Sequence, residues 1–204
     1  MKRFGPSLVS SILTGCAGLA SGEVSVEATD YPVGWPLPVG GYVASSECVP
    51  IDGIYHSIGE SNSELGERFS NPVFEQNFFY LNEIANNSNY FQVSQVGREN
   101  RLNFEIFSHN GELLVSNLQK HYSRCEGGWF VIESRVTGGS GDSPVKSTYR
   151  RTTISLALDG SLLINSHSEG VWRKLVVGSE TRVSDIWYKF EKADPDAVVG
   201  SPTN

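Results

Sequence analysis

The sequence predicts a mainly β protein: an antiparallel meander of about eight strands, forming a barrel or a sandwich, with one short helix. Three observations carry this. Apolar and polar residues alternate with period two in segment after segment between Arg101 and Lys192. Asn110-Gly111 and Asp159-Gly160 stand between such segments, as the tight turns of hairpins require. Helical spacing competes with strand spacing only in residues 71–89.

Taken in order, the chain opens with Lys2 and Arg3 ahead of an apolar run from Leu8 to Leu13, the charge order of a secretory signal peptide. Crossing a bilayer takes about 20 apolar residues, and Ser10, Ser11 and Thr14 interrupt a run already too short. Leu13-Thr14-Gly15-Cys16 resembles the lipobox of bacterial lipoproteins. That resemblance implies that residues 1–15 are a signal peptide cleaved after Gly15, and that Cys16 becomes an acylated N-terminus. Two or more chains, palmitate among them, would then anchor the protein in the membrane, where a single chain is marginal. It also implies the bacterial cell envelope. Ala17 stands where Asp would be the familiar retention signal, which favours the periplasmic face of the outer membrane.

With 16 basic and 23 acidic residues the formal net charge is -7, and loss of Lys2 and Arg3 takes the mature chain near -9. Such a charge argues against nucleic acid as a partner and against basic-patch adhesion to anionic lipid. Tyr149–Arg151 and Trp172–Lys174 are short and lie in strand-like segments, where solvated faces are expected. Once Cys16 is assigned to lipid, Cys48 and Cys125 remain as an even pair in an oxidising compartment and are expected to form a disulfide. The rival reading, free or metal-binding thiols, lacks a C-x-x-C partner or a His at ligand spacing.

Residues 16–47 are rich in Pro and Gly and read as a lipid-anchored arm. Tyr31, Trp35 and Tyr42 suggest that part of it is ordered. The β domain spans residues 48–192. Phe74, Phe78, Leu81 and Ile84 or Ala85 place a short helix in residues 71–89. Leu102, Phe104 and Ile106 then form one face of a strand, and a second follows Asn110-Gly111. Phe130, Ile132, Ser134 and Val136 alternate with Trp129, Val131, Glu133 and Arg135. Ile154, Leu156 and Leu158 precede the Asp159-Gly160 turn, and Leu162 and Ile164 resume after it. Residues 170–177 and 186–192 read as two further strands, residues 137–144 and 178–185 as exposed loops, and 193–204 as a flexible tail.

The run "CVPIDGIYHSIGES" at 48–61, with "RCEGGWFVI" and "LALDGSLLI" downstream, is similar to a group of small proteobacterial lipoproteins. Their mature domains open with a Cys, a Gly-x-Tyr segment and a second Cys far downstream. The resemblance implies the β fold and the disulfide. Gly53-Ile54-Tyr55 also resembles the opening Gly-x-Trp of lipocalins, with Tyr for Trp, which would imply an eight-stranded barrel holding one small ligand or filled by its own side chains.

No catalytic or cofactor signature emerges. Gly138–Asp142 misses Gly-x-Ser-x-Gly because Asp142 stands in place of the last Gly. Ser166 and Ser168 flank His167 on a strand, so they point away from it. His56, His109 and His121 have no metal-ligand spacing, and Glu60 with Glu64, or Asp194 with Asp196, read as solvated carboxylates. The expectation is therefore a lipid-anchored envelope lipoprotein with a structural or interaction role, contacting another envelope protein through an exposed aromatic patch that includes Trp172 and Trp187. The alternative is a lipocalin-like carrier of a small apolar ligand, which requires a cavity of about 300 Å³ or more.

Overall fold

The computed structural model describes residues 31–39, 47–62, 74–97, 100–137, 145–173 and 179–198. Leu13, Thr14, Gly15, Cys16, Glu64 and the glycine-rich segment 138–144 lie outside them.

In chain order the strands are β1 (Gly53–His56), β2 (Glu60–Ser61), β3 (Ser88–Val96), β4 (Arg101–Ser108), β5 (Leu113–His121), β6 (Arg124–Glu126), β7 (Trp129–Thr137), β8 (Val145–Leu156), β9 (Leu162–Arg173) and β10 (Ser179–Phe190). Short helices are α1 (Phe74–Phe79), α2 (Asn82–Ala85) and α3 (Pro195–Val198). The fold is mainly β and antiparallel. One sheet has the order β1-β3-β4-β5, the other β2-β10-β9-β8-β7-β6, and among the described residues they do not close into a barrel.

The two sheets share one core because alternate residues of each point to the same interior. Phe91 and Val93 of β3 lie opposite Ile106 and Phe104 of β4. Their cluster includes Phe130, Ile154, Leu162, Ile164 and Phe190 of the other sheet. Phe74 of α1 is wedged among them and stacks on Phe91, ring centroids 3.7 Å apart and planes 6° from parallel. Burying one such side chain is worth about 1.5–3 kcal/mol.

Both seams between the sheets are tied. At one, Tyr55 bridges Lys192, the His56 amide donates to Glu191 O at 2.9 Å, and the Ala193 amide donates to Ile54 O at 2.8 Å. Ala193 is buried there, so the packed chain continues past the expected end of the domain at residue 192. Gly59 makes the passage from β1 to β2 possible, since a Cβ on it would lie 2.4 Å from the Lys189 carbonyl oxygen. At the other seam β5 runs on into β6 through Tyr122 and Ser123, whose amides donate to Asn100 O and Val131 O. The Cys48–Cys125 disulfide, Cα atoms 5.0 Å apart across 77 positions, fastens the segment before β1 to β6.

Several sequence expectations change. The helix placed in residues 71–89 is two short pieces broken at Tyr80, which has φ 59°, and its end belongs to β3. Residues 162–166 and 170–173 are one strand, β9, and residues 179–185, expected as a loop, are the first half of β10. Pairing runs unbroken from Ser179↔Arg173 to Phe190↔Leu162, so the ladder satisfies the backbone even where both faces are polar and no alternation is visible. Gly160, with φ 86°, supplies the turn between β8 and β9 as expected.

The expected aromatic patch of Trp172 and Trp187 does not form. They lie on opposite faces of the six-stranded sheet, because Trp187 is paired with Asn165 and Trp172 is an odd number of residues further along β9. Trp187 is only 5% exposed. Tyr31 of the arm covers it edge-on at 5.0 Å, Trp129 meets it at 5.9 Å, and Trp35 completes the cluster. The strap is held by Pro38 bridging Ala157 and by the Leu158 amide donating to Leu37 O at 2.9 Å.

Candidate ligand site

The inner face of the six-stranded sheet is graded along its strands. Register aligns Phe130, Ile154, Ile164 and Tyr188 in one row across β7 to β10. The next row is Ile132, Thr152, Ser166 and Ile186, and the next Ser134, Arg150, Ser168 and Ser184. Successive inward residues therefore run from mainly apolar, through hydroxyl-bearing, to a row of serines that carries Arg150.

This gradient forms one wall of a cleft with a cavity volume of about 250 Å³. Phe74, Phe78 and Phe79 of α1 and Phe104 of β4 form the aromatic part of its lining, while Ser134, Thr152 and Ser166 contribute hydroxyls. Lys120 and Arg150 bring two cations. Lys120 belongs to the interior because it pairs with Leu102, which is completely buried, two residues along from the Leu118↔Phe104 pair. Its ammonium lies 4.8 Å from the centroid of the Phe79 ring. Burial pulls its pKa below the usual lysine value; nearby Tyr80 opposes this and Arg150 reinforces it. Burial likewise raises the Tyr188 phenol, with Arg150 opposing.

Tyr80 stands beside the two cations. Its hydroxyl accepts a hydrogen bond from Arg150, whose guanidinium carbon is 5.9 Å from the ring centroid. The residue is 64% exposed and sits in the left-handed region that non-glycine residues rarely adopt. No described carboxylate is ion-paired with Lys120 or Arg150. On the outer face, by contrast, Arg124 pairs with Glu126 and Glu133, and Arg151 with Glu126, all between 3.0 and 3.1 Å.

The sequence-predicted residues fall elsewhere. Cys48 and Cys125 form the expected disulfide. Ser166 lines the cleft, but His167 faces outward between Asp185 and Glu169, each at 3.3 Å, so the serine and the imidazole are separated by the sheet. His56 stands beside Tyr90 on β1, ring centroids 5.3 Å apart. Glu60 pairs with Lys189 at 3.1 Å, and Asp194 caps the Asp196 amide at 3.0 Å. Among the described residues no group of three His, Cys, Asp or Glu is gathered as a metal site. Arg150, read as part of a solvated run, was missed as a cleft residue. Its parity with Ile154 was the available signal, as was that of Lys120 with Leu118.

No protein-family model, curated protein or solved structure matches the chain significantly.

Proposed function

We propose that this chain is a lipid-anchored protein of the bacterial cell envelope whose β domain binds a small apolar molecule in the cleft between its sheets. The observation that carries the binding role is the graded cleft: an aromatic lining, a hydroxyl belt and a volume of about 250 Å³. That volume falls short of the about 300 Å³ expected of a cavity that encloses a carried ligand, so the occupant the cleft fits is smaller than a typical pocket ligand. The two sheets are read as a lipocalin-like barrel left open between β5 and β7. In support, the order β3-β4-β5 continues through β6 into β7-β8-β9-β10, and the Tyr55–Lys192 bridge returns it to β1.

The anchor rests on the lipobox resemblance at Leu13, Thr14, Gly15 and Cys16. The strap formed by Tyr31 to Pro38 fits such a chain, because it fastens the end of the arm to the outer face of the six-stranded sheet. Intact mass of the membrane-extracted protein tests the anchor: a chain starting at Cys16 with a diacylglyceryl group is expected, and an unmodified Cys16 overturns it. Native mass spectrometry of gently purified protein tests the cleft. A low-mass molecule released on denaturation, and lost in a Ser166→Phe variant that fills the cleft, is the expected result; an empty protein counts against it.

A second reading, contact with an envelope protein, is favoured by one feature. Glu133, Arg151, His167 and Asp185 form a straight row across β7 to β10 on the outer face, a polar surface of carboxylates, a guanidinium and an imidazole suited to fixing the register of a partner. Crosslinking in the intact envelope from a probe placed at Thr181, on this exposed face, tests it.

A further inference from the structure

We infer that the cleft is selective for a single-chain amphiphile with an anionic head, held between Lys120 and Arg150 while a short tail lies along the aromatic lining. The inference rests on reading the cleft as a ligand site and adds the chemistry of the ligand.

The argument begins with cost. A partly buried ammonium loses hydration, and an anion would repay that loss in kind, which an aromatic ring face does only in part. Lys120 is such a group: it is set inward on β5 over the Phe79 ring, with a second cation, Arg150, close enough to disfavour its charge further. Two like charges converging on one cleft repel each other, and an anion placed between them reverses the sign of both interactions. Elsewhere on this sheet the fold does supply counter-charges, as Glu60 does for Lys189 and Glu126 for Arg151. Among the described residues no such carboxylate is paired with Lys120 or Arg150, which leaves the counter-ion to come from outside.

The rest of the lining sets the remainder of the ligand. Phe74, Phe79 and Phe104 offer ring faces and edges to an apolar tail, and the volume of about 250 Å³ leaves room for one short chain rather than two. Tyr80 adds a hydroxyl beside Arg150, so a carboxylate or phosphate there can receive hydrogen bonds from the guanidinium while the Lys120 ammonium supplies the second charge. Arg150 is exposed and Lys120 only half-buried, which puts the head at the rim and the tail inside.

The test is isothermal calorimetry on the purified protein with decanoate, decyl phosphate and decanol, which share a tail and differ in head. The wild type is compared with Lys120→Met and Arg150→Met. At least one of the two anionic amphiphiles is expected to bind about tenfold or more tighter than decanol, with the preference falling as salt is raised. Each substitution is expected to remove most of that preference, with circular dichroism reporting that the variant is folded. Decanol binding as tightly as both anions in the wild type overturns the head selectivity and leaves the apolar cleft standing. Failure of all three to bind overturns the cleft as a ligand site altogether. The wild-type ratio needs no variant, so a misfolded substitution does not shelter the inference.

Discussion

The Tyr80 hydroxyl accepts a hydrogen bond from the Arg150 guanidinium, joining the end of α1 to the middle of β8 across 70 positions of sequence. Tyr80 does this from a left-handed backbone, φ 59°, that costs a non-glycine residue about 1–2 kcal/mol. Exchanging it for Gly removes that strain, so Tyr80→Gly is expected to leave stability unchanged or raise it by about 1 kcal/mol in urea unfolding. A loss larger than about 1 kcal/mol would show that the exposed ring is a packing element instead.

Lys120 sets function against stability. Its folded pKa is lowered, so the unfolded chain binds the proton more tightly, and stability rises with pH as the group titrates below 10.5. At neutral pH the charged lysine therefore costs stability. Lys120→Met is expected to raise the urea midpoint at pH 7 and to remove that part of the alkaline-side rise. An unchanged or lower midpoint contradicts the desolvation argument.

Phe74 is 1% exposed and touches both sheets through Phe91, Phe104 and Phe190. Truncation to Ala should cost about 3–5 kcal/mol, because the stack on Phe91 leaves a cavity the surrounding strands cannot fill. Equilibrium denaturation reads this directly. A cost under about 1 kcal/mol would mean that α1 is peripheral to the core.

Opening the Cys48–Cys125 disulfide frees the segment before β1 from β6. Reduction is expected to lower stability by about 2–5 kcal/mol, measured as urea unfolding with and without reductant. The paired substitution Cys48→Ser, Cys125→Ser should give a similar loss with no response to reductant.

Three tyrosines shape the alkaline limit. Burial raises the Tyr31 pKa from 10.0 to about 12, with Asp159 adding to it, and burial also raises Tyr55 and Tyr188. Each contributes stability that is fully present below pH 10 and lost as pH rises through the folded value. Stability should therefore fall between pH 10 and 12, and Tyr31→Phe should make that fall shallower. Ionisation followed by ultraviolet absorbance should place Tyr31 near 12; a value near 10 would mean that the strap is not packed on Trp187.

Much of this fold is legible as local pattern. Leu102, Phe104 and Ile106 alternate because one face of β4 is buried and the other is not, and Asp159-Gly160 marks a turn because positive φ at Gly160 carries no Cβ penalty. The pairing of Cys48 with Cys125 follows once Cys16 is set aside, and the strap is hinted at by aromatic residues too costly for a spacer. Residues 179–185 carry no such pattern, since both faces of that half of β10 are largely exposed and only its ladder with β9 makes it a strand.

The sequence by itself determined most strand faces and the hairpin turns, because each follows from local backbone preference, and it named the disulfide partners through the lipobox resemblance that sets Cys16 aside. The tertiary structure alone decided which faces meet. Lys120 and Arg150 are an ordinary lysine and arginine on separate strands until the register of β4 with β5, and of β7 with β8, sets both against one interior. A site made by that convergence depends on long-range pairing, and long-range pairing leaves no period in the sequence to read.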